Sequence, residues 1–162
     1  GAAAAGETHA SVLDFGGSEG LVALPEKVWR CLGGSGAPQG TVRVRYRALP
    51  KATKAQFQPV RAGVLERLDD VRAVLEEELM RHCTLSVGDV FTVSAAGEPH
   101  DILVQALEPE PACSLVDTDV EVDLRPSVEA EVAQERAQKR AAAAAAVAAQ
   151  LRSQRAQPSP PT

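Results

Sequence analysis

TVRVRYRALPKATKAQFQP, Thr41 to Pro59, is the stretch whose reading decides the fold. Val42, Val44 and Tyr46 alternate with Arg43, Arg45 and Arg47, which is the period of a half-buried strand with its charges facing water. The alternation then runs into Leu-Pro-Lys and Phe-Gln-Pro, where each proline withholds a ladder donor. The stretch is therefore either a basic strand that grips phosphate or a strand that ends at a seam.

Composition weighs against the first reading. The chain has 162 residues and a formal charge of −5, which opposes wholesale attraction to nucleic acid or anionic lipid. Aromatic residues are only 3%, so few rings exist for bases to stack on. Arg43, Arg45, Arg47, Lys51 and Lys54 thus read as a solvated strand face. Contact with an acidic protein remains the one partner role open to Arg43, Arg45 and Arg47. At 44% hydrophobic residues a folded core is expected, built mainly from Val, Leu and Ala.

Working outward, Ala10–Phe15 and Leu21–Leu24 flank GGSEG and predict a β-hairpin. Pro25 suits the first turn of a short helix whose Val28, Trp29 and Leu32 form its inner side, and GGSGAPQG ends it. Downstream, Asp69 or Asp70 caps a helix in which Val71, Val74, Leu75 and Leu79 fall on one face. LSVGDVFTVS, an AAGE turn, DILVQAL, an EPEP turn and CSLVDTDVEVDL follow as short strands at hairpin spacing. From Pro126 and Ser127 onward an Ala/Arg-rich segment predicts a solvated helix and a disordered end, because no apolar face is sustained.

Candidate chemistry is sparse. Cys31, Cys83 and Cys113 are odd in number and lack ligand spacing, so neither a disulfide framework nor a metal site is expected, and a reducing compartment fits best. Asp117-Thr118-Asp119 lacks the glycine and the second copy of an aspartic protease dyad and reads as turn acids. His82 and Cys83 are adjacent, which argues against a hydrogen-bonded nucleophile pair. They read as a helix-end histidine and a buried thiol. Glu76, Glu77 and Glu78 read as the outer surface of the capped helix. Phe15-Gly16-Gly17, with Gly20 and Leu21, resembles short Phe/Gly peptides that dock onto the valosin-containing AAA+ ATPase, although strands are expected on both sides of it. No signal peptide or membrane-spanning run is recognisable, and the expectation is a protein of the cytoplasm or nucleus that uses no cofactor and catalyses no reaction.

TVRVRYRALPKATKAQFQP, then DDVRAVLEEELMRHCTLSVGDVF, then LEPEPACSLVDTDVEVDLRP resemble, in that order and spacing, the ubiquitin fusion degradation protein 1 family. LVALPEKVWRCL is similar to the family's segment upstream. The resemblance implies an α+β, β-rich fold: a double-psi β-barrel lobe followed by a small mixed lobe. Only GAAAAGET precedes His9, so the barrel lobe is expected to be partial. Residues 1–8 would then be a disordered leader, 9–51 the partial barrel with Val42–Tyr46 as a late strand, 52–126 the second lobe, and 127–162 the helix and tail. Leu49 to Pro59 would be the crossing between lobes.

The resemblance also implies a function. It is that of a non-enzymatic adaptor which presents ubiquitin-conjugated proteins to the valosin-containing ATPase, directly or through a partner subunit, as in ubiquitin-dependent and endoplasmic-reticulum-associated degradation. The second lobe, with Val60, Val64 and Leu65, is the expected site for ubiquitin or polyubiquitin. The rival reading is a diverged interaction scaffold that has lost ubiquitin binding.

Overall fold

A computed structural model of the chain describes residues 6–34, 40–65, 70–95 and 97–155. The elements run α1 (Glu26–Cys31), β1 (Lys54–Pro59), α2 (Val71–Leu79), β2 (Thr84–Ser86), β3 (Val90–Ala95), β4 (Glu98–Glu108), β5 (Ala112–Ser114), β6 (Glu121–Leu124) and α3 (Val128–Arg155). The fold is α+β with a C-terminal helix, as expected, and no closed barrel forms among the described residues.

The central strand comes from the second half of the opening stretch. In β1, Ala55 and Phe57 point to one face and are fully buried, while Gln58 and Pro59 are buried at its end. β4 lies antiparallel along one side of β1 and β6 parallel along the other, giving the sheet order β3-β4-β1-β6. The register slips between Gln56 and Phe57, a bulge that locally bends the strand. β2 and β5 form a separate two-stranded ladder beside it. Period-2 burial continues in β4, where His100, Ile102 and Val104 face inward.

α2 covers this face. Asp70 caps it by accepting the Ala73 N–H at 3.0 Å, leaving Leu75 buried and Val71, Val74 and Leu79 packed against the core. Asp69, the other predicted cap, lies outside the described residues, as do most of GGSGAPQG and one residue of the AAGE turn. Phe57 and Phe91 meet edge to face at 5.3 Å and 82°, with Leu85, Val93, Ile102 and Val104 around them.

Two expected strand regions differ. Val42–Tyr46 forms no strand, and Val44 is 71% and Tyr46 96% exposed. The reason is pairing: no described segment runs alongside it, and a strand without a ladder leaves its backbone groups to water. The crossing expected at Leu49–Pro59 instead contains β1 itself. The Ala10–Leu24 hairpin also fails to form, although its turn does: Leu21 donates to the Ser18 carbonyl at 3.1 Å, with Gly20 at φ +77°. Leu13 and Phe15 stand in solvent on the approach to that turn, so the flanking segments have no face to bury.

α1 is present from Pro25, and its half-buried Val28, Trp29 and Leu32 are those read from the sequence. Gly33, at φ +80°, closes it by donating to the Arg30 carbonyl at 2.9 Å. α3 is docked only at its start. Ser127 is buried and its hydroxyl accepts the Ala130 N–H, whereas the described side chains beyond the second turn are exposed. The end expected to be disordered lies outside the described residues.

These differences separate two substitutions. Phe57→Ala should destabilise the chain by about 3–5 kcal/mol, and Val44→Asp, which the alternating pattern would make severe, should change stability by under about 0.5 kcal/mol. Urea unfolding of both variants checks this, and equal losses would return Val44 to a core.

Candidate functional site

The loop from Val60 to Leu65 joins β1 to α2 and is held from two sides. Val60 donates its N–H to the Asp101 carbonyl at 3.0 Å and accepts the Glu129 N–H at 3.3 Å. Ala62 N–H donates to Glu129 Oε2 at 3.0 Å, so the first turn of α3 clamps the loop. Beneath it the buried Gln58 donates from Nε2 to the Pro126 carbonyl at 2.9 Å and accepts from Gln105, leaving its amide satisfied. A small cavity of about 120 Å³ opens between the loop and α3, lined by Pro59, Arg61, Ala62, Val64, Leu65 and Pro126. A recess of mixed polar and apolar lining, with Arg61 among its residues, can hold an apolar side chain of a protein partner.

A second recess, about 300 Å³, lies where α1 meets α2 and β3 and is lined by Lys27, Arg30, Glu78, His82, Phe91 and Thr92 among others. Arg30 Nη2 donates to Asp101 Oδ2 at 2.9 Å, and Thr92 Oγ1 donates to Asp101 Oδ1 at 2.7 Å. Partial burial works against the Asp101 charge, but these two donors and the Arg30 charge outweigh it and hold the carboxyl below its ordinary range. Nearby, Asp89 is buried in the SVGD turn, accepting the Ser86 N–H at 3.1 Å and the Thr8 hydroxyl at 2.7 Å. His9 Nδ1 meets Ser86 Oγ at 2.9 Å, and its carbonyl accepts from Thr84 Oγ1 at 2.8 Å. The N-terminal segment is thus tied to the sheet lobe by side chains rather than by a ladder.

Among the residues singled out in the sequence, Leu65 is half-buried at the smaller recess and Val60 is half-buried outside its lining, while Val64 is 2% exposed and belongs to the interior. Val64 is a support for the loop and presents no surface to a partner. Arg43 and Arg45 are exposed and make no ion pair among the described residues, while Arg47 reaches Glu110 at 3.4 Å. Arg47 lies towards the Lys54 end of β1 and the recess at its Pro59 end, about 17 Å apart along the strand. The two sets are not one site. Glu76 and Glu77 are exposed and paired with Arg72 and Arg81, but Glu78 turns inward to His82. Cys83, expected to be buried, is exposed. In the Asp117-Thr118-Asp119 turn the Asp117 carbonyl accepts from Lys51 Nζ at 2.8 Å and Thr118 Oγ1 donates to the Leu115 carbonyl. Among the described residues no group of three His, Cys, Asp or Glu side chains is placed to hold a metal.

Sequence reasoning missed Asp89, Gln58 and the Arg30–Asp101 pair. LSVGDV signals a turn but not that its aspartate is buried, and contacts across 71 residues leave no local trace.

The lobe built by these strands is one already seen as a unit. Residues 51–127 match the family described as ubiquitin fusion degradation protein UFD1, N-terminal subdomain 2. The chain is 34% identical over 119 residues to the ubiquitin fusion degradation protein 1 homolog of Caenorhabditis elegans, covering 74% of this chain and 34% of that protein. The chain belongs to the ubiquitin fusion degradation protein 1 family. It is 33% identical to the Schizosaccharomyces pombe ubiquitin fusion degradation protein 1, over 76% of this chain and 36% of the relative. It is also 31% identical to the human ubiquitin recognition factor in ER-associated degradation protein 1, over 72% of this chain and 37% of that protein. The chain therefore spans about a third of the length of these relatives.

In this family member the Asp101 carboxylate links α1 to the sheet, and its lowered pKa fixes the sign of its contribution. The stabilisation is present above the ordinary value of 3.8 and is lost as pH falls through the lower folded value. Asp101→Asn should be less stable than the parent chain near pH 7, and the gap in urea midpoints should narrow as pH falls below 3.8.

Proposed function

We propose that this chain is a non-catalytic adaptor segment that binds ubiquitin or ubiquitin chains through its sheet lobe and helps present conjugated clients to a valosin-containing AAA+ ATPase. The observation that carries the reading is the recess beside the Val60–Leu65 loop: a clamped loop offering half-buried Leu65 on a lobe that matches a ubiquitin fusion degradation subdomain. The printed names of the relatives, ubiquitin fusion degradation protein and ubiquitin recognition factor in ER-associated degradation, supply the partner class. A shallow apolar contact with a charged rim fits a weak, transient partner better than a small-molecule substrate. No described helix is long and apolar enough to cross a membrane, and the proposed setting is the cytoplasm or nucleus.

Contact with the ATPase is a separate part of the proposal. Phe15 is 92% exposed and Gly16-Gly17 lies outside any strand, so the Phe/Gly stretch has the accessibility that a docking peptide needs. The scaffold reading draws on α3, a 28-residue helix whose described side chains beyond its second turn are exposed and offer a surface for another protein.

Titration with monoubiquitin and with chains, followed by NMR, tests the first part. Shift changes are expected around Val60, Arg61, Ala62 and Leu65, and Leu65→Asp should weaken chain binding at least tenfold, the worth of about 1.4 kcal/mol, with the circular dichroism spectrum retained. Perturbation confined to Arg43, Arg45 and Arg47, or none at near-millimolar chains, would overturn ubiquitin binding and favour the scaffold.

A further inference from the structure

His82 sits one turn beyond the last residues of α2, its ring tilted over Phe91 at 5.7 Å and its side chain only 15% exposed. Its two nitrogens face opposite partners. Lys27 Nζ, from α1, lies 3.4 Å from Nδ1, and Glu78 Oε1, from α2, lies 3.3 Å from Nε2. A lysine ammonium has only donors, so the contact with Lys27 requires Nδ1 to be a bare acceptor and places the imidazole proton on Nε2, towards Glu78. Glu78, His82 and Lys27 thereby form one chain of contacts joining the two helices, in which Glu78 is an ion-pair neighbour of Nε2 and not its hydrogen-bond acceptor.

We propose that this chain of contacts is a pH-sensitive latch: protonation of His82 at Nδ1 expels Lys27 and releases α1, with the N-terminal segment it carries, from the sheet lobe. The incoming proton can only occupy the position that Lys27 now uses. Once there, the imidazolium keeps its pairing with Glu78 but stands against the ammonium. The other charged or titratable groups around the recess are Glu26, Arg30 and the Cys31 thiol from α1, Arg81 after α2, and Asp89 from the turn before β3, and β3 itself brings only the uncharged Val90, Phe91 and Thr92. Arg30 is engaged by Asp101, and Arg81 by Glu77 and Glu78.

Burial of the ring, followed by the Lys27 charge, pushes the His82 pKa below its ordinary 6.5, against the opposing pull of Glu78 and Asp89. The sign follows. Docking of α1 is favoured above pH 6.5 and is lost as pH falls through the lower value of the docked state.

Trp29, the single tryptophan, lies on α1 two residues from Lys27 and reports its docking by fluorescence. The full chain should show a reversible red shift on acidification, with a midpoint below 6.5 and far-ultraviolet circular dichroism unchanged. His82→Gln, whose amide oxygen can accept from Lys27 but does not titrate, should abolish the transition. Lys27→Met, which removes the ammonium that the incoming proton would oppose, should also abolish it, and His9→Gln should leave it in place. The latch is overturned if the parent chain shows no shift, if His82→Gln or Lys27→Met retains it, if His9→Gln removes it, or if helical signal is lost in step with it.

Discussion

The edge-to-face contact between Phe57 and Phe91 is the point on which the lobe depends. Phe57 lies on the strand paired from both sides and Phe91 on the outer strand beyond β4, so the two rings bracket three strands of the sheet. In a chain with so few aromatic residues, this pair supplies bulk that Val and Leu alone would have to replace with several side chains. α2 closes over it through Leu75, and His82 leans on Phe91 from outside. Core and seam therefore share one ring.

Much of the lobe was legible because its signals are local. The i, i+3, i+4 spacing of Val71, Val74 and Leu75 with Asp70 as cap located α2, and the LSVGDV, EPEP and DTDVEVDL segments located turns and strands. Alternation misled at Val42–Tyr46, since a period-2 pattern states what a strand would bury and says nothing of whether a neighbour exists to pair with it. β1 was hidden for the opposite reason. Its KAQFQP sequence holds two glutamines and a proline, yet Gln58 is buried because Pro126 and Gln105 satisfy it.

The candidate site was half visible. Leu65 does lie at a recess, but only the folded chain reveals that Val60 stands outside its lining, that Val64 turns inward and that Glu129, 67 residues from Ala62, anchors the loop. The side-chain ties of Thr8, His9, Lys27 and Arg30 to the lobe were not legible at all. Each is a polar pair formed across a long sequence separation, and neither hydrophobic periodicity nor turn chemistry encodes it.

β6 has a further consequence. It is the outer strand on its side of the sheet, four residues long, with Glu121 and Asp123 projecting from it and paired by Lys54 and Gln56. An open sheet margin is a template for runaway stacking of copies, and brevity and negative charge are the two features that discourage it. With Leu13, Phe15 and Tyr46 already in solvent, this blunt acidic margin discourages copies from stacking on the β6 side of the sheet.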